Sequence, residues 1–260
     1  MRDQIKNKAY FQEYISETDR LLDKRKLKFE NNLIKPDRIA VVKNDMALEI
    51  IRKAIATYSI GKPIEELRPI LLSSIKLIED YWSGTWSIFD EKGKRLNQYG
   101  GSIYTKMLSL ISITFLLGEC SDQLRKIDNT LNKDGVSDLI FEYILSSAIV
   151  DKNFSTEESY RIYFHIPEIY SLLRKAILAQ DKQSSQLLIK QFLEQEWYQN
   201  LKKADAEPAE SHKSKHNSYY GYWCFEAATV TCIKGLDDSS YRDHSYYPKD
   251  LADYYRANNS

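Results

Sequence analysis

Glycine is scarce in this chain, 9 residues in 260, and proline scarcer still at 6. Neither GxxxxGK[ST] nor GxGxxG occurs, so the glycine clusters that cradle phosphate are absent, and GxSxG, the nucleophile elbow, is missing with them. Nucleotide enzymes lose most of their support. Cysteine numbers three, Cys120, Cys224 and Cys232, an odd set without CxxC spacing. Such a set reads as small, buried, reduced thiols rather than catalytic or metal-binding ones. Net charge is missing too: 37 basic residues balance 37 acidic ones, so no global field draws the chain to nucleic acid or a membrane surface. The most apolar run, Met107 to Gly118, falls short of the ~20 residues that a spanning helix needs and reads as a buried helix. The opening MRDQIKNKAYFQEY is charged throughout and has no apolar core or cleavage site, so no signal peptide is expected and the cytoplasm is the expected location.

What is present is helical. Hydrophobic residues make up 43% of the chain and recur at three and four spacing. Phe11, Tyr14, Ile15, Thr18, Leu21 and Leu22 form one stripe, with DKRKLK on the outer face. A second runs through Met46, Ala47, Ile50, Ile51, Ala54, Ile55 and Tyr58 to IGKP, where Gly61 can cap and Pro63 can open the next helix. Leu71, Leu72, Ile75, Ile78 and Trp82 continue the pattern as far as a glycine-rich loop, YWSGTWSIFDEKGKRLNQYGG, and an apolar helix follows from about Ile103 to Leu117. KIDNTLNKDG then offers turn residues that could separate two halves. Further helices are predicted at Ser137 to Val150, Pro167 to Gln180 and Ser184 to Trp197. A polar loop containing Pro208 leads to a last apolar helix bearing GYWCFEAATVTCIK. The expected fold is all-α and bundle-like, two helical halves packed together, with a boundary dividing 1–128 from 129–260.

Little of this carries chemistry. His212 and His216 have i, i+4 spacing but sit among Ser and Lys in a predicted loop without a third ligand, so no metal is expected there. His165 precedes IPEIY as a helix-start residue, and His244 lies in an aromatic turn. Glu226, Asp237, Asp238 and Lys249 could be set out as the acids and lysine of a metal-dependent nuclease. That site needs its second acid and lysine two apart on one strand, and Asp238 and Lys249 are separated by a proline turn. Glu226 lies in a helix apolar on nearly all sides and so requires a partner. Ser239, Ser240, the amides of the DDSS turn, tyrosine hydroxyls and Arg242 are the candidates for locking turn to helix. Gly235 ends that helix, Asp237 or Asp238 can cap the turn, and Pro248 opens a short final helix whose Leu251 and Tyr254 face inward. Tyrosines at 219, 220, 222, 241, 246, 247, 254 and 255 stand beside acids at 237, 238, 243, 250 and 253. Such a surface suits a basic protein that normally grips phosphate.

The order YYGYWCFEAA, then KGLDDSSYRDHSYYPKDLADYY, closely resembles the carboxy-terminal signature of the PoNi immunity proteins, and IRKAIATYSIGKPIEELRPILLSSI is similar to the helical amino-terminal domain that accompanies it. Gly221, Tyr222, Trp223, Glu226, Asp238, Ser239, Tyr247, Pro248, Asp250 and Leu251 match the pattern. The resemblance implies an all-helical cytoplasmic antidote without catalysis or cofactor. Its partner would be a cognate antibacterial toxin, typically a contact-delivered DNase of the PD-(D/E)xK superfamily. On that reading the candidate toxin contacts are Asp237, Asp238, Tyr241, Asp243, Tyr246, Tyr247, Asp250 and Tyr254. Gly221, Tyr222, Trp223, Glu226, Ser239, Pro248 and Leu251 would hold the fold. Competing readings are a metal-dependent hydrolase or nuclease using Glu226, Asp237 and Asp238, and a helical scaffold with broad partners. Because the chain is neutral overall, any mimicry of phosphate must be a local patch.

Overall fold

The computed structural model describes residues 1–86, 88–118, 121–160, 169–203 and 209–259. Among them the fold is all-α; the one β feature is an isolated antiparallel bridge between Phe89 and Arg95 in the expected glycine-rich loop. No described helix is long and apolar enough to cross a membrane. The chain forms two compact units, residues 1–86 with 210–221, and residues 87–209 with 222–260.

The first unit rests on three helices, α1 (Lys8–Glu30), α2 (Ile39–Ser59) and α3 (Leu67–Tyr81). Asn7 caps α1 by accepting the Tyr10 N–H at 2.9 Å. Phe11, Tyr14, Thr18 and Leu22 are the buried stripe of α1, narrower than expected because Leu21 is exposed. Helix α2 packs on both neighbours and buries every residue of its predicted stripe. Two side chains tie it to α3: Asn44 Nδ2 donates to the Tyr81 carbonyl at 2.7 Å, and Ser74 Oγ to that of Ala47 at 3.0 Å. Gly61 ends α2 at φ +89°, and its Cα lies so close to Met1 that an added Cβ would stand 2.9 Å from the Met1 Cα. The returning segment buries Tyr219 and Tyr220 in this unit. The Tyr219 N–H reaches the Tyr10 hydroxyl at 2.9 Å, and Ser59 Oγ reaches the Tyr220 carbonyl at 2.7 Å.

The second unit is built around α4 (Gly101–Leu116), buried along nearly its whole length and flanked by α5 (Ser121–Asp134), α6 (Leu139–Ala148), α10 (Phe225–Ile233) and α11 (Lys249–Asn258). Helix α7 (Ser171–Leu178) pairs with α8 (Lys182–Gln191), which continues through a π-helical turn, Phe192–Glu196, into α9 (Trp197–Lys203). Most of KIDNTLNKDG belongs to α5 and is not the expected turn. Leu124, Ile127 and Leu131 bury a helical stripe there, and this outweighs the local turn chemistry until Gly135 at φ +67°. Residue 128 therefore lies within a helix.

A buried ionic knot anchors this unit. Asp138 caps α6, its Oδ1 accepting the Ile140 and Phe141 N–H groups at 2.9 and 3.1 Å, and Tyr104 donates to the same oxygen at 3.0 Å. Arg174 from α7 bridges Asp138 and Glu158. Asp138 is fully buried.

Candidate partner-binding site

The motif segment begins differently from expectation. Gly221 to Cys224 is not helical, and helix α10 starts only at Phe225. Gly221 takes φ +129°, a conformation that side chains disfavour, and the Cys224 N–H donates to the Tyr246 carbonyl at 2.8 Å. The amino end of the motif is thus tied directly to its YYP end. Cys224 and Cys232 are both free thiols. Cys120, His165 and Pro208 lie outside the described residues.

Glu226 is 1% exposed on α10, and its Oε1 meets no hydrogen-bond partner. The expected lock to the DDSS turn is not made. Burial holds its carboxyl up at about 8, so it is neutral at pH 7, and the Cys224 thiol is its side-chain neighbour. Burial and the nearby Glu226 in turn push the Cys224 thiol and the Tyr170 hydroxyl up.

The lock is made by Asp238. Its Oδ1 accepts from Arg242 Nη1 at 3.0 Å, while its Oδ2 accepts from Arg256 Nη1 at 2.9 Å and from the Tyr247 hydroxyl at 3.1 Å. Turn, YYP segment and last helix converge on one buried carboxylate. Tyr241 packs edge-on to Tyr247 with ring centroids 5.3 Å apart, and its hydroxyl meets Thr231 Oγ1 at 3.0 Å. Asp238, Tyr241 and Tyr247 are all under 5% exposed, which places three of the candidate contact residues inside the protein. Tyr219, Tyr220 and Tyr222 are buried as well, so much of the tyrosine concentration is interior packing.

The remaining candidates are at the surface. Asp237 is exposed and closes its own turn, accepting from the Ser239 N–H at 3.0 Å and Ser239 Oγ at 2.9 Å; these bonds hold its carboxyl below the usual range. Asp243 is exposed and is likewise held low by its bond from Lys249 Nζ at 2.6 Å. Asp250, Tyr246 and Tyr254 are partly exposed. Tyr246 belongs to an aromatic group with Tyr222, Tyr198 and His244, centroids 6.5, 5.4 and 5.2 Å away. Burial lowers the His244 pKa. Trp223 is half-buried, Pro248 is buried immediately before α11, and Leu251 is fully buried.

Sequence reasoning named Arg242 but missed Lys234 and Lys182. Lys234 Nζ donates to the carbonyls of Ala176, Ile177 and Ala179, each at 2.9 Å, and so caps the end of α7. Lys182 Nζ reaches the Gly235 carbonyl at 3.0 Å and Gln186 Nε2 that of Asp237 at 2.9 Å, which moors the turn to α8. Among the described residues no three His, Cys, Asp or Glu side chains are grouped to hold a metal ion; Glu226, Asp237 and Asp238 do not converge, nor do His212 and His216 gain a third ligand.

Residues 136–251, which contain Asp238 with Arg242 and Tyr247 but not Arg256, match the sequence model of PoNe immunity proteins (PoNi), C-terminal. This segment is of PoNi type. The PoNi match takes in Asp138, Glu158 and Arg174 of the knot, α10 and Asp238, and stops within α11 before Arg256. Across the whole chain the fold is similar to the crystal structure of protein PA2201 from Pseudomonas aeruginosa, with a TM-score of 0.69 and 17% identity, covering 100% of this chain and 93% of that one. At that identity the likeness is one of fold. No curated protein matches the chain.

Proposed function

We propose that this chain is an immunity protein that binds and neutralises a cognate antibacterial toxin in the cytoplasm, as a stoichiometric inhibitor without catalysis of its own. The observation that carries this reading is the PoNi match over residues 136–251. The toxin is a nuclease, a DNase of the PD-(D/E)xK superfamily, and inhibition works by obstructing its substrate cleft. A cleft that holds DNA is lined with cations, and the exposed carboxylates Asp237 and Asp243, the latter shared with Lys249, and the partly exposed Tyr246 and Tyr254 are the groups that would meet it. Asp237 and Asp243 have their carboxyls held low, so both keep their charge at any physiological pH. Asp238, Tyr241 and Tyr247 serve that surface from beneath, as its frame.

Co-expression with a nuclease toxin domain encoded beside the gene, scored as survival and then as co-purification, tests the reading. Rescue by the wild type and its loss in folded Asp237→Lys/Asp243→Lys are the expected results. Rescue that survives the reversals moves the interface elsewhere, and absence of both rescue and complex removes the immunity reading for that pair.

A further inference from the structure

Residues 210–221 belong to the PoNi match by sequence and to the first unit by structure. Their only helical turn is a short 3-10 piece, Ser211–Lys213, so the order of the rest comes from the unit they lie on. Tyr219 and Tyr220 are 0% and 2% exposed. The Tyr219 ring packs on Tyr10 and Phe11 with centroids 6.4 and 6.0 Å apart, and Tyr220 packs on Tyr14 at 6.4 Å. Asn217 Nδ2 donates to Glu17 Oε2 at 2.9 Å. Tyr10, Tyr14 and Glu17 stand at i, i+4 and i+7 of α1, so the segment follows one face of that helix.

Two polar junctions fasten it. The Tyr219 hydroxyl donates to Oδ2 of Asp3, 216 positions earlier, and Asp3 is 5% exposed. Its Oδ1 accepts the Ile5 and Lys6 N–H groups at 2.8 and 2.9 Å, so the tyrosine completes a buried carboxylate that already shapes the chain's first turn. At the end of α2, the Ser59 carbonyl accepts the Arg2 and Asp3 N–H groups, both at 3.0 Å, while Ser59 Oγ reaches the Tyr220 carbonyl at 2.7 Å. The first residues of the chain and the returning tyrosines are thus joined through Asp3 and Ser59. Gly221 at φ +129° then turns the chain away. We propose that residues 217–220 are a latch on the first unit: α1 and the Ser59 end of α2 open only when the tyrosines leave, and the second unit stays closed while they do. A chain cut at residue 136 would leave Tyr219 and Tyr220 without α1, so the carboxy-terminal family segment is not a self-contained folding unit in this protein.

The test is native-state hydrogen exchange on the full chain, resolved to single amides across a urea series. Two amides five residues apart decide it: that of Tyr219, bonded to the Tyr10 hydroxyl at 2.9 Å, and that of Cys224, bonded to the Tyr246 carbonyl at 2.8 Å. Tyr219 is expected to open in one step with α1 and the end of α2, and Cys224 in a separate step with α10. Tyr219→Phe keeps the ring and loses the bond to Asp3. It should speed exchange of the Tyr219 group about tenfold and leave α4 and α10 unchanged. Opening of Tyr219 together with Cys224, or opening of Tyr219 while α1 stays protected, overturns the proposal. So does a Tyr219→Phe variant that accelerates both units alike or neither. No toxin enters the assay, so its failure leaves the immunity reading where it stood.

Discussion

Arg256 reaches back from the last helix to Asp238, Nη1 to Oδ2 at 2.9 Å, and with Arg242 on the other oxygen it encloses a carboxylate that is 4% exposed. Two cations and a tyrosine hydroxyl are left without their shared acceptor if that carboxylate goes. Asp238→Ala is therefore expected to destabilise the second unit by on the order of 3 kcal/mol. Asp237→Ala, one residue earlier and exposed, should cost under about 1 kcal/mol. Urea unfolding of the two variants checks the contrast; equal losses would mean that Asp238 is not the structural member of the pair.

Glu226 gives a pH signature. Its folded pKa, about 8, stands above the ordinary value of 4.5, so the fold favours the protonated form. The native state thus binds the proton more tightly than the unfolded chain, and stability falls as pH rises from 4.5 through about 8, by roughly 5 kcal/mol at the upper end. Glu226→Gln, which stays neutral, should melt higher than the wild type at pH 9 and close to it at pH 4.5. Parallel melting curves for the two proteins across that range would show that Glu226 is not buried as an acid.

Lys234 closes α7 from a distance in sequence. Lys234→Met takes this donor from the Ile177 and Ala179 carbonyls, while that of Ala176 keeps Ser185 Oγ at 3.0 Å. The expected cost is about 1–2 kcal/mol, with hydrogen exchange accelerated in α7 and α8 before the rest of the unit. Uniform acceleration would deny the lysine its local capping role.

The Asp138 knot sets the integrity of the second unit where α4, α6 and α7 meet. Arg174→Met removes the cation from a carboxylate with no exposure and should cost on the order of 3–5 kcal/mol, whereas Arg174→Lys should recover part of it. A fully stable Arg174→Met would mean that the cap bonds from Ile140 and Phe141 and the Tyr104 hydroxyl suffice for Asp138.

Helical character was legible from the sequence because three-and-four periodicity in α2 and α6 coincides with burial. Where local chemistry and periodicity conflicted, in α5, the Asn- and Asp-rich text suggested a turn, yet Leu124, Ile127 and Leu131 decide the outcome. GYWC showed the opposite failure: its apolar run continues α10 on paper, but Gly221 at φ +129° and the Cys224 to Tyr246 bond hold it out of the helix. The need for a buried carboxylate locking turn to helix was also readable, and its address was not. Glu226 was the acid in apolar text, but Asp238 is the one whose neighbours Arg242, Tyr247 and Arg256 arrive from three positions along the chain. Long-range pairs such as Arg174 with Asp138 leave no periodic trace, which is why that knot was missed.

The most direct measurement is survival and complex formation when this chain is co-expressed with a candidate nuclease toxin domain. The immunity account expects rescue with a 1:1 complex, lost on reversing the exposed Asp237 and Asp243 to lysine while Asp238 and the fold stay intact. A toxin that kills unhindered, with no complex recovered from correctly folded protein, would contradict it.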